Sequence, residues 1–281
     1  MRCEPGNTPL FRVTAFALLL AGAALFALPF FWMLSTSLKP LNETMAIPPV
    51  WWPSHLLWRN YPETIATMGH FWLFVWNTVY VCLLSVTGCV LSSALVAYGF
   101  SRIDWPGRDK VFLLVLAGMM MPFAVTIVPL YSLFRTLDWI GTFKPLWVPA
   151  FFAPAFNVFL LRQFFLTLPR ELNEAARIDG CSEWRIFWQI ILPLSKPALF
   201  VVALFQFLAS WNDFFGPLIY LTDPKQSTLS LALQMFQSRH GGVPWNYMMA
   251  AAVLITTPVI ILYFFCQKSF KEGIATTGAK N

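Results

Sequence analysis

The chain has 281 residues, of which 58% are hydrophobic and only 11% charged, with a mean hydropathy of +0.62. A soluble domain carries about 25% charged residues, so a water-soluble globular fold is excluded and lipid is the expected solvent. The formal charge of +6 does not call for nucleic acid, because the basic residues are divided among short loops.

Six apolar runs, at about 13–34, 74–98, 111–133, 146–165, 198–221 and 248–266, are each long enough to cross a hydrocarbon core of ~30 Å at 1.5 Å per residue. They predict one transmembrane domain over 1–281. The first run follows Arg2 and Arg12, exceeds the length of a signal-peptide core and has no small-residue cleavage site at its end, so an uncleaved span is expected. Prolines lie in or near the spans at Pro29, Pro122, Pro129, Pro149, Pro154, Pro217 and Pro258. In lipid, the backbone groups they free need neighbouring helices, which points to a packed bundle. With the amino terminus inside, thirteen lysines and arginines fall in the inner segments and six in the outer ones. Both termini are therefore expected in the cytoplasm.

Cys82 and Cys89 lie two helical turns apart in the second run and read as small hydrophobes. The five cysteines form no CxxC pair, and His55, His70 and His240 fall in separate loops. Neither a disulfide framework nor a metal site is expected. The first outer segment, 35–71, carries Pro48, Pro49, Trp51, Trp52, Pro53 and Trp58. Tryptophan favours the membrane–water interface and proline keeps a segment extended, so an interfacial cover is expected there. The third outer segment, 222–247, holds the Gly241-Gly242 pair, which reads as a turn.

Between the fourth and fifth runs, 168–197 is too charged to cross a membrane and too well punctuated for a slack loop. Pro169 suits the first turn of a helix, residues 170–179 are good helix formers, and Gly180 can take the left-handed conformation that ends one. Ser182 can cap a second helix, with Glu183 in its positive first turn, and Pro193 is expected to stop that helix near Leu192. The stretch reads as helix, tight turn, helix: a rigid knob. Ala175 and Ala176 would let another surface approach the backbone, while Glu174 and Asp179 offer charges to partner cations.

The fifth run holds the polar residues Gln206, Ser210 and Asp213, spaced i, i+4, i+7 on one helical face, with Asn212 beside them. Polar side chains in a span face the bundle interior or a water-filled path. Together with Trp211, Phe214 and Phe215, they suit a sugar, whose hydroxyls need hydrogen bonds and whose apolar faces need rings. The same residues also fit a structural tie to a neighbouring helix.

Glu174-Ala175-Ala176, three residues, Gly180, nine residues and Ile190-x-Leu192-Pro193 resemble the EAA signature of permease subunits of bacterial ABC importers. The run Trp211-Asn212-Asp213-Phe214 before Gly216-Pro217-Leu218 resembles the carbohydrate branch of that family. Ser35–Pro40 after the first span, and Met121-Pro122 and Pro129-Leu130-Tyr131 in the third, resemble the family's usual pattern, and Gln267–Ile274 resembles the carboxyl end of its maltose- and glycerol-phosphate-type subunits. The family often has tryptophan before the proline where this chain has Gly216, which is expected to loosen that point.

The resemblance implies an all-α membrane protein, a six-helix bundle of the type I ABC importer permease fold, in the bacterial cytoplasmic (inner) membrane. It implies that Glu174, Ala175, Ala176, Asp179 and Gly180 form the coupling helix that docks on a cytoplasmic ATPase dimer. The other implied partners are a second permease subunit, as a heterodimer, and an extracytoplasmic solute-binding protein. No GxxxxGK[ST] phosphate loop occurs in the chain. ATP and Mg are thus expected on the partner, with no cofactor and no catalytic residue here. The rival reading is a proton-coupled secondary carrier using Asp213 as its relay. Against it stand the single intramembrane carboxylate and the lack of an evident inverted repeat.

Overall fold

The computed structural model describes residues 9–239 and 244–278, with side chains described for 11–235 and 244–267. The Gly241-Gly242 pair, Arg2, Cys3, His240 and Lys280 lie outside the described residues. Every regular element among those described is helical. In chain order they are α1 (Pro9–Ser37), α2 (Asn60–Met68), α3 (Phe71–Ser101), α4 (Arg108–Gly118), α5 (Phe123–Thr136), α6 (Lys144–Trp147), α7 (Ala155–Thr167), α8 (Glu171–Ile178), α9 (Glu183–Ile186), α10 (Leu192–Leu194), α11 (Lys196–Trp211), α12 (Phe215–Tyr220), α13 (Leu229–Arg239) and α14 (Trp245–Gly278). The chain divides into two compact units, Met1–Gly69 with Leu233–Pro258, and His70–Ala232 with Val259–Asn281.

Among the described residues, four unbroken stretches are long and apolar enough to cross a membrane: Phe11–Ser37, Phe71–Ser101, Lys144–Thr167 and Trp245–Gln267. They cover the first, second, fourth and sixth predicted spans and extend each by a few residues. The third is broken. Arg108–Gly118 and Phe123–Thr136 meet at a 96° bend, because Pro122 at the start of α5 has no N–H to continue the ladder and takes an extended conformation with ψ 138. The fifth is corrected too: α11 begins at Lys196 as expected but ends at Trp211, and the remainder of that run is the separate short helix α12.

In the first unit, α1 presents its large apolar side chains outward along most of its length, Leu18, Phe26 and Val13 among them, as a helix solvated by lipid does. Its end is different. Ser35, Thr36, Ser37 and Lys39 are all buried. Ser35 donates to the Trp51 carbonyl at 2.6 Å, and Asn60 Nδ2 donates to the carbonyls of Ser37 (2.9 Å) and Lys39 (3.0 Å). The Lys39 ammonium lies 3.9 Å from the centre of the Trp32 ring, a cation–π contact that compensates part of its desolvation. The outer segment is thus folded back on the end of α1 by hydrogen bonds, not merely draped over it. Trp51, Trp52 and Trp58 remain exposed, where an interfacial position would place them.

The second unit is built on α3, which is buried along one face through Cys82, Cys89, Ala94, Ala97 and Tyr98. The cysteines and alanines among them let α7 and α11 come close, and Val158, Leu161, Phe165 and Val202 fill the space between with no exposed surface. Gly88 is the tightest approach: a Cβ there would lie 2.2 Å from the Phe151 ring. At the other end of α3, Asn77 donates to the carbonyls of Lys225 (2.9 Å) and Ser227 (3.1 Å), and Thr78 Oγ1 accepts the Leu229 N–H at 2.8 Å.

Candidate functional site

The knob forms as its sequence dictates. Helix α8 ends at Ile178, and Gly180 takes φ +77. The Cys181 N–H donates to the Ala176 carbonyl (2.9 Å) and the Gly180 N–H to that of Arg177 (3.0 Å). This is the paired closure that a left-handed residue one past the cap permits. Ser182 Oγ accepts the Arg185 N–H at 3.4 Å and opens α9, as expected of an N-cap serine.

Two details depart from expectation. Helix α8 starts at Glu171, so Pro169 lies ahead of the first turn. Pro193 does not stop the second helix either. The chain passes from α9 through a π-helical turn, Phe187–Ile191, into α10 and yields only at Ser195. A wider turn just before a proline relieves the clash its ring would make with the preceding turn.

The five predicted coupling residues lie together on and after α8, but the alanine pair is split. Ala175 is exposed, whereas Ala176 is 6% exposed and joins the core. Successive helical residues point about 100° apart, so only Ala175 can offer a close approach to a partner. Ala176 lets α8 sit close on its own bundle. Glu174 and Asp179 are exposed, and neither takes part in the ion pairs found among the described residues. Ile178, beside them, is 86% exposed. This exposed surface of α8 and its turn thus combines an apolar side chain with two carboxylates.

Sequence reasoning missed what holds the knob from beneath. Glu183 Oε1 accepts from Arg177 Nε at 2.7 Å, joining α9 to α8, and Glu183 Oε2 accepts the Tyr98 hydroxyl at 2.5 Å. The Arg177 hydrogen bond, aided by that of Tyr98, holds the Glu183 carboxyl below the usual range, and the same bond raises Arg177. Arg102 is buried and donates to the carbonyls of Phe165, Leu168 (2.8 Å) and Pro169 (3.5 Å). Burial lowers its pKa, with the nearby Arg170 charge adding to the effect. The only sequence signal for this pair was a tyrosine and an arginine four residues apart where an apolar span ends.

The polar group of the fifth span is only partly brought together. Gln206 Nε2 donates to Ser210 Oγ at 3.2 Å, so those two share a face as predicted. Asp213 does not join them, because the helix ends at Trp211 and Asn212 is its C-cap. Asn212 Nδ2 donates back to the Leu208 carbonyl at 2.8 Å, while Asp213 Oδ1 accepts the Gly216 N–H at 3.0 Å at the start of α12. Asparagine and aspartate favour such local backbone bonds over continuing a helix.

Trp211 is 4% exposed, stacks on Phe207 at 5.2 Å and accepts from Ser230 Oγ through its carbonyl at 2.9 Å. It braces the break rather than presenting its ring. Gly216 does not loosen this point. A Cβ there would lie 2.3 Å from Asp213 Oδ2 and 2.9 Å from Leu146, so the bare backbone is what admits the aspartate. The knob and this break stand at opposite ends of α11, whose 16 residues span ~24 Å.

An all-helical membrane bundle with a rigid helix–turn–helix knob, and no phosphate loop of its own, is the architecture of a transporter permease subunit. The family described as binding-protein-dependent transport system inner membrane component matches residues 90–275, and the chain belongs to it. It is 35% identical over 250 residues to the arabinooligosaccharides transport system permease protein AraQ of Halalkalibacterium halodurans, covering 88% of this chain and 89% of that one. It is also 35% identical over 269 residues to the trehalose/maltose transport system permease protein MalG of Thermococcus litoralis, covering 93% and 95%. Among solved structures, a chain of a bacterial ABC transporter involved in import of the acidic polysaccharide alginate superposes with a TM-score of 0.81 at 22% identity, covering 95% of this chain and 99% of that one. The fold is therefore that of an ABC importer permease. The carrier reading built on Asp213 finds no support in this kinship.

Proposed function

We propose that the chain is one of two membrane subunits of an ATP-driven importer, forming half of the path for an oligosaccharide handed over by an extracytoplasmic binding protein. The observation that carries this reading is the knob. Its EAA spacing folds into a projection held by Gly180, with Glu174, Ala175, Asp179 and Ile178 exposed on it. A separate ATPase dimer docks there from the cytoplasm, where both termini also lie, and ATP and Mg reside on that dimer. Closure of the ATPase moves the docked knobs, and the two membrane halves change from inward-open to outward-open. The ATP-bound and ATP-free states must therefore differ in free energy through this interface.

An oligosaccharide is favoured over a small ion by the relatives named above and by the break after α11. There the exposed Asn212 stands beside Phe214 and Phe215 in the chain, and Gln206 and Ser210 are joined by a hydrogen bond in the last turns of α11. Two measurements test the reading. Thermal-shift screening of the cognate binding protein against a sugar panel should return an oligosaccharide of pentose or glucose units. Uptake of that sugar into vesicles should need ATP and survive collapse of the proton gradient; uptake that follows the proton gradient and ignores ATP would refute it.

A further inference from the structure

We propose that Tyr98 and Arg102 are positioning residues for coupling, which make the inner end of α3 follow the knob as one body. This rests on reading the knob as the ATPase-docking element. The two side chains lie four residues apart, on one face of α3 and its last turn, and they grip the knob on both sides of its turn. Arg102, 8% exposed, holds the entry. It donates to the carbonyls of Phe165, Leu168 and Pro169, the end of α7 and the link into α8. The last carbonyls of a helix lack partners within it, and a cation there complements the helix dipole.

Tyr98, 3% exposed, holds the far side. Its hydroxyl donates to Glu183, and the other oxygen of that carboxylate takes Arg177, so a single phenol is bonded to α9 and through one carboxylate to α8. Its ring also packs on the buried Phe187 at 5.2 Å. Separating the knob from α3 therefore breaks the Tyr98 hydrogen bond on one side of its turn and those of Arg102 on the other.

The test uses the assembled transporter in proteoliposomes with its binding protein, and maltose or arabinotriose as the probe. Tyr98→Phe keeps the ring on Phe187 and removes only the hydroxyl. Probe molecules moved per ATP hydrolysed should fall at least threefold, while the melting temperature and the amount of co-purified ATPase stay at the parental level. Glu183→Ala should give a similar fall, and the double variant should fall no further, because both remove one shared link. A parental ratio in Tyr98→Phe overturns the proposal, as does an additive loss in the double variant. The docking reading is tested separately by Gly180→Val. If that variant retains its ATPase in full, the docking reading fails and the proposal with it, whatever Tyr98→Phe does.

Discussion

Replacing Gly180 tests the knob through its backbone alone. The residue sits at φ +77, and a Cβ built on it would meet no atom within 4 Å, so a substitution meets no clash with other parts of the chain. What remains is the conformational cost of a left-handed L-residue, ~1–2 kcal/mol, and more for a β-branched one. The turn can shed that strain only by rotating φ to negative values, which breaks the Cys181–Ala176 and Gly180–Arg177 hydrogen bonds and swings α9 away from α8. Holding the docking shape then costs about 1–2 kcal/mol, a factor of roughly 5–30 in the population competent to bind.

Titration of the detergent-solubilised permease pair with its ATPase should therefore give a graded series. Gly180→Asn should stay near the parent, since asparagine tolerates this region. Gly180→Ala should be weaker by about 5–30-fold on the same argument, and Gly180→Val weakest. Equal affinity for the parent and Gly180→Val would refute the reasoning, and so would an asparagine variant as weak as the valine one.

Glu174→Lys, which leaves like charge at the docking face, should cost on the order of 2–5 kcal/mol of ATPase affinity, read in the same titration, with solute binding by the external protein unaltered. Asp213→Ala should lower the melting temperature by removing the bond to the Gly216 N–H, at ~0.5–2 kcal/mol as for other capping residues, whereas Asp213→Asn keeps an acceptor and should melt like the parent. Gly88→Ala should destabilise by ~1–3 kcal/mol, because it overpacks the Phe151 ring, and Phe151→Leu in the same chain should recover part of the loss in thermal melts. The Glu183 carboxyl is held below its ordinary value of 4.5, so its contribution is complete above that value and lost as pH falls through the folded-state pKa. Hydrogen exchange across α8 and α9 should therefore be steady at neutral pH and quicken, beyond its intrinsic pH dependence, in the acid range below about 4.5; Arg177→Gln should remove most of that response.

Much of this protein was legible in its residues because the deciding signals are local. Long apolar runs identify membrane helices wherever they pack, since lipid demands that backbone groups be satisfied within the segment. The knob's turn was legible for the same reason: Gly180, Ser182 and the helix formers before them act within a few residues of chain, although Pro193, expected to stop the second helix, is absorbed by a π-helical turn.

What tertiary structure decided involves partners far apart in sequence or a contest between local options. The fifth span looked continuous through Asp213 by its apolar run, but Asn212 and Asp213 bond to nearby backbone, and the close packing of Gly216 on Asp213 and Leu146 makes the break a settled feature. Whether Ala175 or Ala176 faces outward depends on which side of α8 meets the core, and no periodicity over eight residues settles that. Lys39 and Arg102 read as ordinary loop charges when counted for orientation. Both are buried instead, because an indole face for one and the carbonyls of Phe165, Leu168 and Pro169 for the other offer charged groups the compensation that water would otherwise supply. For Arg102 that compensation lies more than sixty residues along the chain, beyond the reach of any local pattern, and only the packing of α3 against α7 brings the two together.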